Sequence, residues 1–122
     1  MNSDAIKVRD EAASAGPFDL VHLEQATAGD RALAREVLAL FDGQAERLLE
    51  AIAAAADAGA RSEAAHTLKG AARGVGAQEV ARAAEEIEAG GDDPIEVIGA
   101  LARLSARVAE ARLALAGLVA QS

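Results

Sequence analysis

His66, Lys69 and Gly70 are the residues of this 122-residue chain whose types and spacing could do chemistry. An imidazole ordinarily titrates near pH 6.5, so at neutral pH it offers a nitrogen lone pair without help from a base. A lysine three positions on adds a cation one helical turn away, and the glycine at the fourth position removes a side chain. Small and apolar residues recur at Ala64, Leu68, Ala71 and Val75, at offsets of four, seven and eleven, which mark one helix face. At about 100° per residue, His66, Lys69, Gly70 and Arg73 group on the opposite, wet face. A glycine inside a helix costs about 1 kcal/mol relative to alanine, so something should need the gap. An exposed imidazole beside a cation and a gap suits the docking of another molecule. Spacing alone also leaves open a surface histidine with no role.

Other chemistries find less support. A histidine satisfied inside the core is opposed by the helical geometry, because Leu68 and its companions already supply that face. A metal site needs several convergent ligands; His66 has Glu63 three residues before it but no second histidine nearby, and His22 is remote. His22 lies beside the apolar stripe of its helix rather than on it and reads as a bland surface residue. Gly70, Gly74 and Gly76 do not form a phosphate-cradling loop, since no strand precedes them and no Gly-Lys-Ser/Thr follows. No Gly-x-Ser-x-Gly or comparable hydrolase constellation appears. Glu85-Glu86 and Asp92-Asp93 fall at solvated or capping positions and read as structural.

The run Ala65-His66-Thr67-Leu68-Lys69-Gly70-Ala71-Ala72, with Gly76 ten residues after the histidine, resembles the signature of histidine-containing phosphotransfer (HPt) domains. That pattern is His, any residue, an apolar residue, Lys, Gly, two small residues and a later Gly. The resemblance implies that His66 accepts a phosphoryl group from a receiver-domain aspartate and passes it to another receiver domain. Lys69 would offset charge on the phosphoryl oxygens, and Gly70 would let the receiver approach. Ser62, Glu63, Gly70, Arg73 and Gly76 are the expected partner-binding residues. Phosphoryl transfer depends mostly on positioning and charge compensation, so the metal and aspartate can come from the partner; the resemblance implies that the receiver supplies both, its aspartate and Mg²⁺, with no cofactor or metal expected of this chain. A neutral imidazole requires no general base, which suits a helix surface that offers none. Between residues 59 and 82, Arg61, Lys69, Arg73 and Arg82 stand against Glu63 and Glu79, so four minus two leaves a basic island of +2 in a chain of −8. Implied partners are receiver domains of response regulators and a hybrid histidine kinase. A helical interaction module that docks a receiver or other partner without carrying phosphate is the alternative.

Composition sets the frame. Hydrophobic residues make up 52%, with two aromatic residues, both Phe. Such small side chains favour closely packed helices over a β-sandwich. The acidic balance argues against nucleic acid. The absence of cysteine removes disulfides and thiol chemistry. No apolar run suits a signal peptide or a membrane span, so a soluble, cytoplasmic monomer is expected. At this length there is no room for an ATPase domain, and the protein is expected to be a phosphoryl carrier rather than an enzyme.

The helices that must position His66 can be placed in order. Residues 1–16 form a tail or short helix closed by Gly16-Pro17, and 17–122 form one bundle domain. Asp19 caps a short helix carrying Leu20, Leu23 and Ala26, ending at Gly29. Asp30 caps a long helix whose buried stripe is Leu33, Val37, Leu40, Phe41, Leu48 and Ile52, ending where Gly59 can turn left-handed. The motif helix runs from about Arg61 to Val75. The next, from about Gln78 to Ala89, buries Val80, Ala83, Ala84 and Ile87 and exposes Glu79, Arg82, Glu85 and Glu86. Asp93, Pro94 and Glu96 open the last helix, with Ile95, Ile98, Leu101, Val108, Leu115 and Leu118 inward. Short connections between long helices give antiparallel neighbours. The fold class is therefore all-α, an antiparallel up-down four-helix bundle with a short N-terminal cap helix.

Overall fold

A computed structural model describes residues 18–120, and the expected tail at residues 1–16 lies outside them. The described residues form five helices: α1 (Leu20–Ala26), α2 (Arg31–Ala54), α3 (Ala58–Gly74), α4 (Gln78–Ala89) and α5 (Pro94–Ala120). Three aspartates start helices by accepting from backbone N–H groups three residues on. Asp19 accepts from His22 at 3.1 Å, Asp30 from Leu33 at 3.0 Å and Asp57 from Ala60 at 2.8 Å. Asp93 accepts from Ile95 at 2.9 Å, with Pro94 as the first residue of α5. Each cap satisfies a donor that the helix itself leaves unpaired.

The four long helices close a ring. α3 packs on α2 and α4, and α5 packs on α4 and α2, so α3 and α5 stand diagonally across the core. The core has few large side chains: Phe41, Leu68, Leu104 and Val80 are the largest that are fully buried. Fully enclosed alanines (Ala45, Ala65, Ala72, Ala84 and Ala111) fill the contacts between them. Small side chains at these contacts let helix axes approach closely. The short α1 is tied on by a hydrogen bond from the Asp19 N–H to the Gly76 carbonyl at 2.8 Å. Phe18 also sits edge-on against Phe41, with ring centroids 6.0 Å apart.

Three sequence expectations are corrected. In α2 the buried residues are Leu38, Phe41, Ala45 and Ile52, while Leu33 and Leu40 are exposed. Leu40 is about 100° around the helix from Phe41, so it cannot share its face. Gly59 does not end α2: that helix stops at Ala54, Asp57 caps α3, and Gly59 lies inside α3. In α5, Ile95 and Ile98 point outward, and Ala100, Leu104, Val108, Ala111 and Leu115 take the inward row.

The turn between α1 and α2 carries a strained residue. Ala28 has a φ of 52° immediately before Gly29 at 75°, and the left-handed region costs a residue with a Cβ about 1–2 kcal/mol. Ala28→Gly should therefore raise stability by about 0.5–1 kcal/mol, after allowing for the extra freedom of the unfolded chain. Urea unfolding measures the difference. Unchanged or lower stability would mean that the turn relaxes at no cost.

Candidate functional site

α3 carries the site because its two faces differ. Ala65, Leu68, Ala72 and Val75 are buried, which fixes the helix's rotation and turns His66 outward with its side chain 68% exposed. One turn on, Lys69 is not a solvated surface cation: its side chain is only 14% exposed. The reason is Glu88, the penultimate residue of α4. Its Oε2 lies 2.6 Å from His66 Nδ1, and its Oε1 accepts from Lys69 Nζ. Glu88 is itself 24% exposed. The Ser62 hydroxyl, one turn before His66, donates to the Glu88 carbonyl at 3.2 Å and fixes the end of α4 against α3.

The protonation pattern follows from this geometry. The hydrogen bond from Lys69 holds the Glu88 carboxyl below its ordinary value, the bond to His66 adds to the effect, and partial burial opposes it. An ionised carboxylate can only accept, so Nδ1 must carry the hydrogen in that bond. In the neutral ring the lone pair is then left on Nε2. The ring is held in one tautomer, with its basic nitrogen on the side away from Glu88. The surface of α3 itself offers no general base to His66, as expected, but α4 brings the Glu88 carboxylate to the ring.

The remaining site residues separate into groups. Gly70 is exposed, and a Cβ there would meet nothing within 4 Å, so packing within the chain does not require the glycine. Gly76 is the opposite case. It is buried at a φ of 76°, and a Cβ would come 2.9 Å from the Asp19 backbone oxygen. The α1 attachment explains it, and the structure does not bring it to the face of His66. Ser62 has its hydroxyl committed to α4. Glu63 is exposed, with its carbonyl accepting from Thr67 Oγ1 at 3.1 Å. Arg73 is exposed and stands 3.8 Å from Glu85.

The basic island does not survive folding. Arg61 pairs with Asp92 at 3.6 Å, Lys69 with Glu88, Arg73 with Glu85 and Arg82 with Glu79 at 2.8 Å. Three of those carboxylates lie beyond residue 82, where a count along the sequence did not reach. Counted over residues 59–92, the same four basic residues face six acidic ones, a balance of −2. Glu88 had a legible signal. It stands four residues after Ala84 and seven after Ala81, in register with two buried residues, and a carboxylate continuing an apolar row calls for a partner. Among the described residues no group of three His, Asp or Glu side chains could hold a metal ion. No helix among them is long and apolar enough to cross a membrane.

A family model described as Hpt domain matches residues 36–116, from α2 into α5 and across the whole site. The chain belongs to the Hpt-domain family. No curated protein and no solved structure matches it. Hpt domains are helical phosphotransfer modules of two-component systems, and they work with receiver domains and histidine kinases.

The Glu88 bridge should be visible in acid. A carboxyl held below its unfolded value contributes stability above that value and loses it as pH falls through the folded one. For Glu88 the window starts at the ordinary value of 4.5 and extends downward. Wild type should exceed Glu88→Gln in stability at pH 7, and the gap should close as the pH falls below that window. A gap that stays constant with pH would mean that the bridge makes no electrostatic contribution.

Proposed function

We propose that this Hpt domain is a phosphorelay intermediate in which His66 takes a phosphoryl group from a receiver aspartate and hands it to a second receiver. The observation that carries the reading is the Glu88 carboxylate on His66 Nδ1, because it leaves Nε2 as the exposed nucleophile. In the forward step the Nε2 lone pair forms the N–P bond while the acyl-phosphate O–P bond breaks. The electron pair leaves with the receiver's carboxylate. No proton has to be removed from Nε2, and Nδ1 keeps its hydrogen, which Glu88 continues to accept as positive charge grows on the ring. Transfer onward is the reverse sequence at a different aspartate.

The other side chains fit that sequence. Lysine has three donors, so Lys69 can remain on Glu88 and turn another N–H toward a phosphoryl oxygen. The open space at Gly70 gives the receiver access to a ring one turn away. Mg²⁺ and the phosphorylated aspartate are assigned to the receiver, which leaves this chain as a carrier. Glu63 and Arg73 lie on the exposed surface flanking His66, where a receiver would touch them.

Incubation with a phosphorylated receiver should give one acid-labile, base-stable phosphate per chain, located on His66 Nε2 by nitrogen NMR. His66→Gln should abolish it while keeping the helical circular-dichroism signal. Phosphate retained at His22 in that variant would overturn the assignment. A chain that binds the receiver without becoming labelled would instead be a docking module.

Glu88→Ala and Lys69→Ala should each slow transfer by roughly tenfold or more, since losing a charge-assisted hydrogen bond costs about 1.5–3 kcal/mol. Full rates in both variants would remove the bridge from the mechanism.

Gly70→Gln should fold with equal or higher thermal stability, because glycine costs a helix about 0.5–1 kcal/mol relative to alanine and the added Cβ meets nothing. Transfer from a receiver should nevertheless fall sharply, since in-line reaction needs the reacting atoms about 3–3.5 Å apart. Unimpaired transfer would show that the receiver does not pass over this position.

A further inference from the structure

Two side-chain hydroxyls of α3 stand close to His66 in sequence, and they find acceptors in different ways. Thr67 Oγ1 donates to the Glu63 carbonyl four residues back at 3.1 Å, the ordinary course for a hydroxyl inside a helix. Ser62 passes over its own helix and donates across to α4, to the Glu88 carbonyl at 3.2 Å, 26 residues away. That carbonyl is among the last four of α4, which a helix cannot pair by itself. The Gly90 N–H goes to the Ile87 carbonyl at 3.2 Å. One residue of α4 is therefore held at three atoms by one stripe of α3. Ser62, His66 and Lys69 stand at offsets of zero, four and seven, a single helix face, and they take the carbonyl, Oε2 and Oε1 of Glu88 in turn. The carboxylate oxygens swing about side-chain torsions, whereas the carbonyl belongs to the backbone and fixes where those torsions start.

We propose, resting on the reading of Nε2 as the nucleophile, that Ser62 is a positioning residue for phosphotransfer. By holding the backbone of Glu88 it sets the carboxylate on His66 Nδ1, and so keeps the Nε2 lone pair presented. The geometry moves Ser62 out of the expected partner-binding set: the residue is partly buried, and its hydroxyl is spent on α4. The neighbouring tie is weaker. Arg61 pairs with Asp92, just beyond the end of α4, at 3.6 Å, but the Asp92 side chain is 77% exposed, and exposed ion pairs contribute little. The hydroxyl, bonded directly to the backbone of the residue that touches the ring, is the tie that decides where the carboxylate stands.

Nitrogen NMR of the His66 ring in the free protein separates the two tautomers at about pH 8.5, where an ordinary imidazole is neutral. Wild type should show the hydrogen on Nδ1. Ser62→Ala should shift the population towards Nε2–H. It should also slow transfer from a saturating phosphorylated receiver by roughly threefold to tenfold, the range that a neutral hydrogen bond commands, with the receiver KM unchanged. Alanine is the better helix former, so this variant keeps its helical signal. Ser62→Thr, which retains the hydroxyl, should restore both tautomer and rate. Asp92→Asn, which cuts the neighbouring tie without touching Glu88, should match wild type in both. A Ser62→Ala ring that stays wholly Nδ1–H overturns the proposal. So does a raised KM at unchanged kcat, which would make Ser62 a receiver contact, and so does an equal shift in Asp92→Asn. A wild-type ring with its hydrogen on Nε2 would overturn the reading of the nucleophile itself, a result distinct from all of these.

Discussion

One carboxylate makes the site what it is. Glu88 reaches from α4 to α3 and holds the ring of His66 and the ammonium of Lys69 with its two oxygens. Without it, His66 would be a freely rotating surface imidazole with its proton on either nitrogen. With it, the ring has one orientation and one basic nitrogen, and a cation is fixed one turn away. The chemical asymmetry of the imidazole is therefore a property of the interface between two helices.

That interface depends on small residues. Ala65 and Ala72 on α3 and Ala81 and Ala84 on α4 are buried between the elements that carry His66 and Glu88. A larger side chain at any of them would push the helices apart, and a carboxylate 2.6 Å from Nδ1 has little slack. Overpacking typically costs about 1–3 kcal/mol in stability, and here it would also stretch the hydrogen bond that sets the tautomer. The alanine-rich composition and the geometry of the site are one constraint. The Ser62–Glu88 backbone contact adds a second tie at the same level of the bundle.

What could be read in the sequence follows from how local each signal is. The caps at Asp19, Asp30 and Asp93, and the span of α4, are written in neighbouring residues and were legible to within a residue. So were the outward placement of His66 and Gly70, because the apolar row of α3 fixes its phase. Leu40 and Ile98 were misplaced because apolar residues on α2 and α5 occur at more than one phase, and periodicity cannot say which row meets the core. Glu88 could be singled out as a carboxylate continuing a buried row, but its pairings and those of Arg61 and Arg73 were not legible along the chain. Their partners lie 12–31 residues away, and only helix packing brings them together. The resemblance points to His66, and the fold supplies the carboxylate that orients its ring.

The spent charges around His66 bear on how firmly a phosphoryl group would be kept. Such a group adds about −1.5 to −2 units of charge at neutral pH. It would arrive on a surface where Arg61, Lys69, Arg73 and Arg82 already neutralise carboxylates. Each of these four cations already has a carboxylate partner, so a phosphoryl group would have to share Lys69 with Glu88. The local surroundings would raise the free energy of the phosphorylated state relative to a pocket of unpaired arginines, and so favour departure over storage. On this surface a phosphoryl group would be held less firmly than in a pocket of unpaired arginines, which fits the proposed role of a relay better than that of a store.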